Sequence, residues 1–319
     1  MSTIKAYLGQ KLVKEIIGSL LLVAIIALPV LTFAKHGKNI YVDDSASGSE
    51  DGSSSHPYKT IGQALKKAHG GDEVHVSSGT YKENIILKED VKLYGSGRDK
   101  VTIKAHDDDS TVVSMEDGSK LNGVKVTGGN NGIEVERDAK VSITKCTIED
   151  NDRDGIRIRS HKKIDDDHAV TIDHVIVRDN GKAGIYSDPH RVVVTESDIR
   201  SNHKDGIILA SGVSAWLGDN EVKSNGGSGF VAVLDYSNIL TSGNSFGDNK
   251  REGIQISAYG AAGRIDIKNS KVHGNNRYGI ARVERANVAN SRWNNFTVQS
   301  NVTYWDNSFG NLSPIINVN

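Results

Sequence analysis

The sequence predicts a parallel β-helix, an all-β solenoid of short stacked strands, and three observations carry that prediction. First, one turn recurs in register. Asn151, Asn180, Asn202, Asn225, Asn249 and Asn275 are each followed four residues later by a glycine, at Gly155, Gly184, Gly206, Gly229, Gly253 and Gly279. Second, the residue after each glycine is apolar and opens a period-two alternation, as in Ile156/Ile158, Ile207/Leu209 and Ile254/Ile256. Third, the asparagine-to-asparagine steps are 29, 22, 23, 24 and 26 residues while the inner offset stays fixed. That combination describes a coil of roughly 22–24 residues with loops of varying length and no helical stretch. Stacked asparagines can hydrogen-bond up and down such a ladder, and glycine permits the backbone to bend after them.

Composition agrees. The chain has 319 residues, 33 of them glycine and only 6% aromatic, as expected for one elongated domain with a narrow core of Ile, Val and Ala. A net charge of −1 argues against nucleic acid as the main partner. Cys146 is the single cysteine, so no intramolecular disulfide can form. It stands where Ser197 and Ser270 stand in sister coils, which makes it a small core residue and not a reactive thiol.

In chain order, Lys5, Lys11 and Lys14 precede an uncharged run over residues 16–34. Residues 1–34 therefore read as a signal peptide cut after Ala34, or as a membrane anchor if uncut. Either outcome puts the repeat domain outside the cytoplasm: secreted, periplasmic or at the cell surface. Residues 35–71 supply a first strand over residues 39–43 and a helix beginning at Thr60. Gln63 completes a capping box, Ile61, Ala64, Leu65 and Ala68 share one face, and Gly70 and Gly71 stop the helix. A solenoid has open ends with unpaired edges, so this helix is expected to cap the N-terminal one. The β-helix itself is expected over residues 72–290, with Gly128 in the asparagine slot before Gly132. After Gly279 the register is lost, and residues 291–319, with Trp293, Phe296, Trp305 and Phe309, read as an aromatic C-terminal cap. A monomer is expected.

The segments Ile40-Tyr-Val-Asp-Asp, His56-Pro-Tyr-Lys-Thr-Ile-Gly-Gln-Ala-Leu65 and Gly71-Asp-Glu-Val-His-Val, together with the Asn-x3-Gly-Ile coils, resemble secreted right-handed parallel β-helix proteins of the pectin-lyase-like superfamily. The resemblance covers nearly everything after residue 38. It implies a single-stranded right-handed parallel β-helix, an extracellular or cell-wall setting and dealings with polysaccharide, without implying a reaction.

Stacking converts sequence columns into spatial ones. On the strand after each glycine, Arg157 falls beside Tyr186, Arg159 beside Asp188, and His161 near His190, a cluster of ionisable types suited to acid–base work. The longest insertion, residues 161–168, lies next to it and could wall one side of a groove. Tyr186-Ser-Asp-Pro-His190 is similar to the Asp-Pro-His signature of mannuronan C5-epimerases, which matches Asp188 and His190 and implies proton abstraction at a uronate carbon. Tyr186 stands one residue too close to the signature, and the family's later Arg-His pair would fall at Gly227-Ser228 and is missing. The candidate catalytic residues are therefore Arg157, Arg159, Tyr186, Asp188 and His190. A second column, two residues before each glycine, reads Arg153, Lys182, Lys204, Gly227, Arg251, Arg277. With His161, its basic members are candidate substrate-binding residues, a ridge able to track the carboxylates or sulfates of an anionic glycan.

His/Cys metal spacing is absent and no cofactor is expected, although Asp107-Asp-Asp109 and Asp165-Asp-Asp167 could collect Ca²⁺. These readings converge on a secreted or membrane-anchored β-helix that binds, and in one version modifies, an acidic polysaccharide. The alternatives are an active uronan lyase or epimerase, and a structural adhesion protein without activity.

Overall fold

Each coil of the chain turns three times, and each turn hands a short strand to a different sheet. The computed structural model describes residues 37–161, 169–259, 261–284 and 296–314. Within them, three parallel sheets of eleven, ten and ten strands run the length of the solenoid. One coil shows the pattern: Ser142–Thr144 joins the first sheet, Thr147–Glu149 the second and Ile156–Ile158 the third, before Ala169–Asp173 returns to the first one coil higher.

The register is the one that the glycine-anchored alternation predicts. Ile156, Ile185, Ile207, Phe230, Ile254 and Ile280 pair in a continuous file, and all six are fully buried. Burying each such side chain is worth about 1.5–3 kcal/mol, so the core is assembled coil by coil, from isoleucine in five of these six positions and Phe230 in the other.

Two corners per coil are made by single residues in the left-handed region. Lys145, His174, Glu196 and Asp219 turn the chain from the first sheet to the second; Asp150, Asp179, Ser201, Ser224 and Asp248 turn it out of the second. The asparagine ladder begins one residue after this second corner. Each Nδ2 donates to the Oδ1 of the next coil's asparagine: Asn151 to Asn180 at 2.9 Å, Asn180 to Asn202 at 2.9 Å, Asn202 to Asn225 at 3.0 Å, Asn225 to Asn249 at 3.1 Å and Asn249 to Asn275 at 3.0 Å. The same Oδ1 also accepts the backbone N–H of the preceding asparagine, and Nδ2 reaches a carbonyl such as Val177 O. These amides are at most 2% exposed, yet donors and acceptors are matched, which is what allows polar groups in the core.

The repeated glycines have a different task from the bend expected of them. Gly155, Gly184, Gly206 and Gly229 are not in the left-handed region. They are needed for space: a methyl on Gly206 would lie 2.5 Å from both the Gly229 carbonyl oxygen and Val222 Cγ1. The asparagine file also ends at a different residue from the one its spacing marks. Gly129, not Gly128, donates its N–H to Asn151 Oδ1, because that coil's turn is one residue shorter.

The sheets extend past both expected boundaries. Asn39–Val42 pairs with Glu73–Val76 and is already part of the first sheet. At the other end, the expected loss of register after Gly279 does not occur. Phe296–Val298, Thr303–Trp305 and Gly310–Leu312 add one strand to each sheet, and Asn275 Nδ2 donates to Asn307 Oδ1 at 2.8 Å. The coil continues because Asn307 supplies the ladder residue; Trp305 and Phe309 are exposed on it rather than plugging the core.

The helix Ile61–Lys67 forms with its capping box from Thr60 and Gln63, and Ile61, Ala64 and Leu65 are buried. It packs against Asn39–Val42, Glu73–Val76 and Ile85–Leu87, at the first coils. Glu83 holds its start, accepting the N–H groups of Ile61 and Gly62 at 2.8 Å each. Cys146 is fully buried and burial pushes its thiol up to about 11, so it is inert as expected of a core residue. The segment 1–34 lies outside the described residues; among those described, no helix is long and apolar enough to cross a membrane.

Candidate functional site

Arg157 sits in the middle of Ile156–Ile158, and the alternation that buries its two isoleucine neighbours turns it outward. Register places Glu134 one coil below it and Tyr186 one coil above. Its guanidinium lies 3.7 Å from the Tyr186 ring centroid, within cation–π distance. Nη1 is 3.4 Å from Asp154 Oδ2 and Nη2 is 3.6 Å from Asp188 Oδ2. Stacking and two carboxylates thus fix one arginine in one orientation.

Around it lies a cleft of about 280 Å³ lined by Arg137, Arg153, Arg157, Arg159 and His161, with Asp154 and Asp188 as its carboxylates. Arg159 Nε pairs with Glu134 Oε1 at 3.1 Å. Among the described residues, no carboxylate lies within ion-pair distance of Arg137 or Arg153. The cleft therefore keeps uncompensated positive charge at its margin on a chain that is slightly acidic overall.

Of the cluster expected on the strand after each glycine, Arg157, Arg159, His161 and Asp188 line this cleft, and Arg153, expected only in the separate basic column, lines it too. Three details differ. Arg159 is not salt-bridged to Asp188; it leans to the preceding coil because Asp188 faces Arg157 while Glu134 is open to it. His190 does not stand near His161 on the outer face. The strand Ile185–Ser187 ends before it, the Asp188-Pro189 turn breaks the alternation, and the ring is carried inward to 1% exposure with Nδ1 2.9 Å from the Arg191 carbonyl oxygen. Tyr186 lies against Arg157 from the next coil, and its phenol is pushed above its usual 10 first by burial and then by the charge of Asp188. It is protonated at neutral pH and poorly placed to act as a base. Arg137 and Asp154 were not among the sequence candidates. Asp154 could have been found one residue before Gly155 in the repeat; Arg137 lies in the turn after Ile133–Val135, where the repeat carries no pattern.

The basic column is a real file. Lys182 N donates to Arg153 O, Lys204 N to Lys182 O, Gly227 N to Lys204 O, Arg251 N to Gly227 O and Arg277 N to Arg251 O, at 2.8–3.1 Å. All five basic side chains are exposed. Arg251 and Arg277 turn onto buried Glu252, at 3.5 and 3.4 Å. Of the acidic loops, Asp107 spends its carboxylate on Asp109 N and Ser110 Oγ within its own turn, while residues 165–167 lie outside the described residues.

Comparison with known proteins follows the same lines. A model described as "Right handed beta helix region" matches residues 163–312. A second, "Protein of unknown function (DUF1565)", matches residues 45–210, more than half of the chain. The chain belongs to the DUF1565 family, and its fold is a right-handed parallel β-helix.

The uncharacterized protein YwoF of Bacillus subtilis (strain 168) is 30% identical over 80 residues, which is 25% of this chain and 16% of that protein's length. Among solved structures, the A-module of the mannuronan C-5 epimerase AlgE6 of Azotobacter vinelandii superposes with a TM-score of 0.60 at 18% identity, covering 77% of this chain and 71% of that one. Pectate lyase Pel9A gives 0.57 at 14% identity over 88% and 78% of the two chains. Tailspike protein 2 of the Escherichia coli O157:H7 bacteriophage CAB120 gives 0.59 at 15% over 84% and 46%. At these identities the likeness is one of fold.

Proposed function

We propose that this protein binds an acidic polysaccharide outside the cytoplasm, with Arg137, Arg153, Arg157 and Arg159 facing the carboxylates or sulfates of the glycan. The observation that carries this reading is the cleft's charge. Four arginines and a histidine line it against Asp154 and Asp188, with Glu134 paired to Arg159 at its edge, and the central guanidinium lies 3.7 Å from the Tyr186 ring centroid. Arginine's planar fork suits carboxylate and sulfate, and pre-orientation reduces the entropy lost on binding. The solved structures of like fold include, by name, a mannuronan epimerase and a pectate lyase, proteins of acidic glycans.

Binding is better supported than turnover. Of the five catalytic candidates, His190 is withdrawn into the protein and Tyr186 is half-buried with its phenol raised, which weakens the tyrosine–histidine pair that the epimerase resemblance implies.

The test is retention of the protein on immobilised polygalacturonate and alginate against neutral dextran. Retention on the acidic polymers, lost as salt shortens the screening length to about 3 Å near 1 M, is the expected result. Equal retention on dextran, or none on any polymer, would overturn it; release of unsaturated product would restore the enzyme reading.

A further inference from the structure

Trp216 stands on the outer face of the first sheet, not on the third sheet that carries the arginine cleft. We propose that this face holds a second glycan site, for a neutral pyranose chain: sugar rings stack on the Trp216 indole, and Ser214, Asn238 and Trp216 Nε1 take the hydroxyls. Nothing at this face depends on what the cleft binds.

One strand builds the platform. Trp216 and Gly218 both point outward from Ser214–Gly218, and the indole is laid down on the glycine. A methyl at Gly218 would meet Trp216 Nε1 at 2.8 Å, Cε2 at 3.2 Å and Cζ2 at 3.3 Å. Glycine inside a strand commonly marks a close approach, here that of the ring. Gly218 is buried while Trp216 stays 37% exposed, so one side of the indole rests on the strand and the other is open. Register sets Val193 one coil below and Leu240 one coil above, which extends the apolar surface both ways.

The surroundings select the ligand. Trp216, Val193 and Leu240 share a pocket of about 270 Å³ with Arg191, Ser214 and Asn238. Among the described residues no hydrogen bond engages Trp216 Nε1, Ser214 Oγ or the Asn238 side-chain amide, so all three are left to a ligand. The outward positions of Arg191–Thr195, Ser214–Gly218 and Asn238–Ser242 carry a single charge, Arg191, on a chain that is 25% charged. One coil further, Arg264 and Asp266 neutralise each other and close the patch. An apolar floor with a few convergent neutral polar groups suits a ring with an apolar C–H face and hydroxyls at its rim. Those C–H groups carry the partial positive charge that the negative face of an indole attracts. An acidic sugar would find one arginine here, where the cleft offers four. A second copy of the chain needs more room: three coils by five residues span roughly 10 by 13 Å, against about 800 Å² that each partner buries in a stable interface.

The test follows the indole N–H signal of Trp216 in the ¹⁵N-labelled full chain, assigned by its absence from W216A. Cellohexaose or mannohexaose should move that signal, and tetragalacturonate should leave it in place. By calorimetric titration, W216A should bind the neutral hexaose about three- to tenfold more weakly, the scale of one lost aromatic contact, with an unchanged unfolding midpoint. G218T keeps the indole but lifts it off the strand, and should lose affinity to the same extent. W305A removes an exposed tryptophan on the second sheet and should change nothing. No movement under either neutral hexaose, equal movement under tetragalacturonate, or full affinity in both W216A and G218T would overturn the proposal. Self-association of the unaltered chain that disappears in W216A would give the face to a second copy and overturn it as well.

Discussion

Glu134, Arg157 and Tyr186 occupy the same outward file of the third sheet as Ile208, Val231, Gln255 and Ala281. Beneath both halves the inward file is unchanged, Ile156 and Ile185 in one, Ile207, Phe230 and Ile254 in the other, all fully buried. The asparagine ladder runs through both without a break. One backbone thus carries a charged face over some coils and a neutral one over the next. Inward and corner positions are fixed by packing and hydrogen bonding, and the outward positions are left free to hold a site.

The comparison breaks most directly at a corner. Asn202→Ala removes the acceptor of Asn180 N and Nδ2 and the donor to Val177 O, all buried. Chemical denaturation should show a loss of about 2–5 kcal/mol, from unpaired buried groups plus a cavity. A loss under about 0.5 kcal/mol would mean that the ladder is ornamental. Next, Gly206→Ala forces a methyl against the Gly229 carbonyl and should lose about 1–3 kcal/mol in the same assay, even though its backbone conformation suits alanine.

An outward change should behave otherwise. Ile208→Arg would move the edge of the charged face up by one coil; stability should stay within about 1 kcal/mol and affinity for acidic oligosaccharides should rise a few-fold, as read by calorimetric titration. A collapse of stability would show that the outward file is not free.

The smallest effect expected is pH-dependent. Burial alone would raise the Glu149 carboxyl, but Lys125 at 2.8 Å and Arg178 at 2.5 Å hold it below its usual 4.5. A carboxyl depressed in the folded state contributes stability above its unfolded value, and that contribution disappears as pH falls through the folded one. The destabilisation caused by Glu149→Gln should therefore be present at neutral pH and shrink well below pH 4.5. An effect constant with pH would remove the ion pairs from the account.

The fold was legible because its signal is repeated. Six Asn-x3-Gly turns fix the register of the third sheet, and with it the neighbours of Arg157. What occurs once or twice was not. A second ladder, Asn220 Nδ2 to Asn244 Oδ1 at 2.9 Å with Ser197 N on Asn220, spans too few coils to show as a period. The last coil was missed because Asn307 follows Asn275 after an irregular interval and a glycine does not stand four residues beyond it. At the site, the pairing of Arg157 with Tyr186 was readable from register. The inward turn of His190 was not, since extrapolating the alternation past Ser187 assumes a strand that the Asp188-Pro189 turn has already ended.

The most direct test of a site built on free outward positions is calorimetric titration of tetragalacturonate into the unaltered protein and Arg153→Gln, with the unfolding midpoint of each recorded alongside. The account predicts an affinity loss of about five- to tenfold with an unchanged midpoint, since Arg153 is exposed and pairs with no carboxylate among the described residues. Equal affinity in the two proteins, or a loss that merely follows a lowered midpoint, would contradict it.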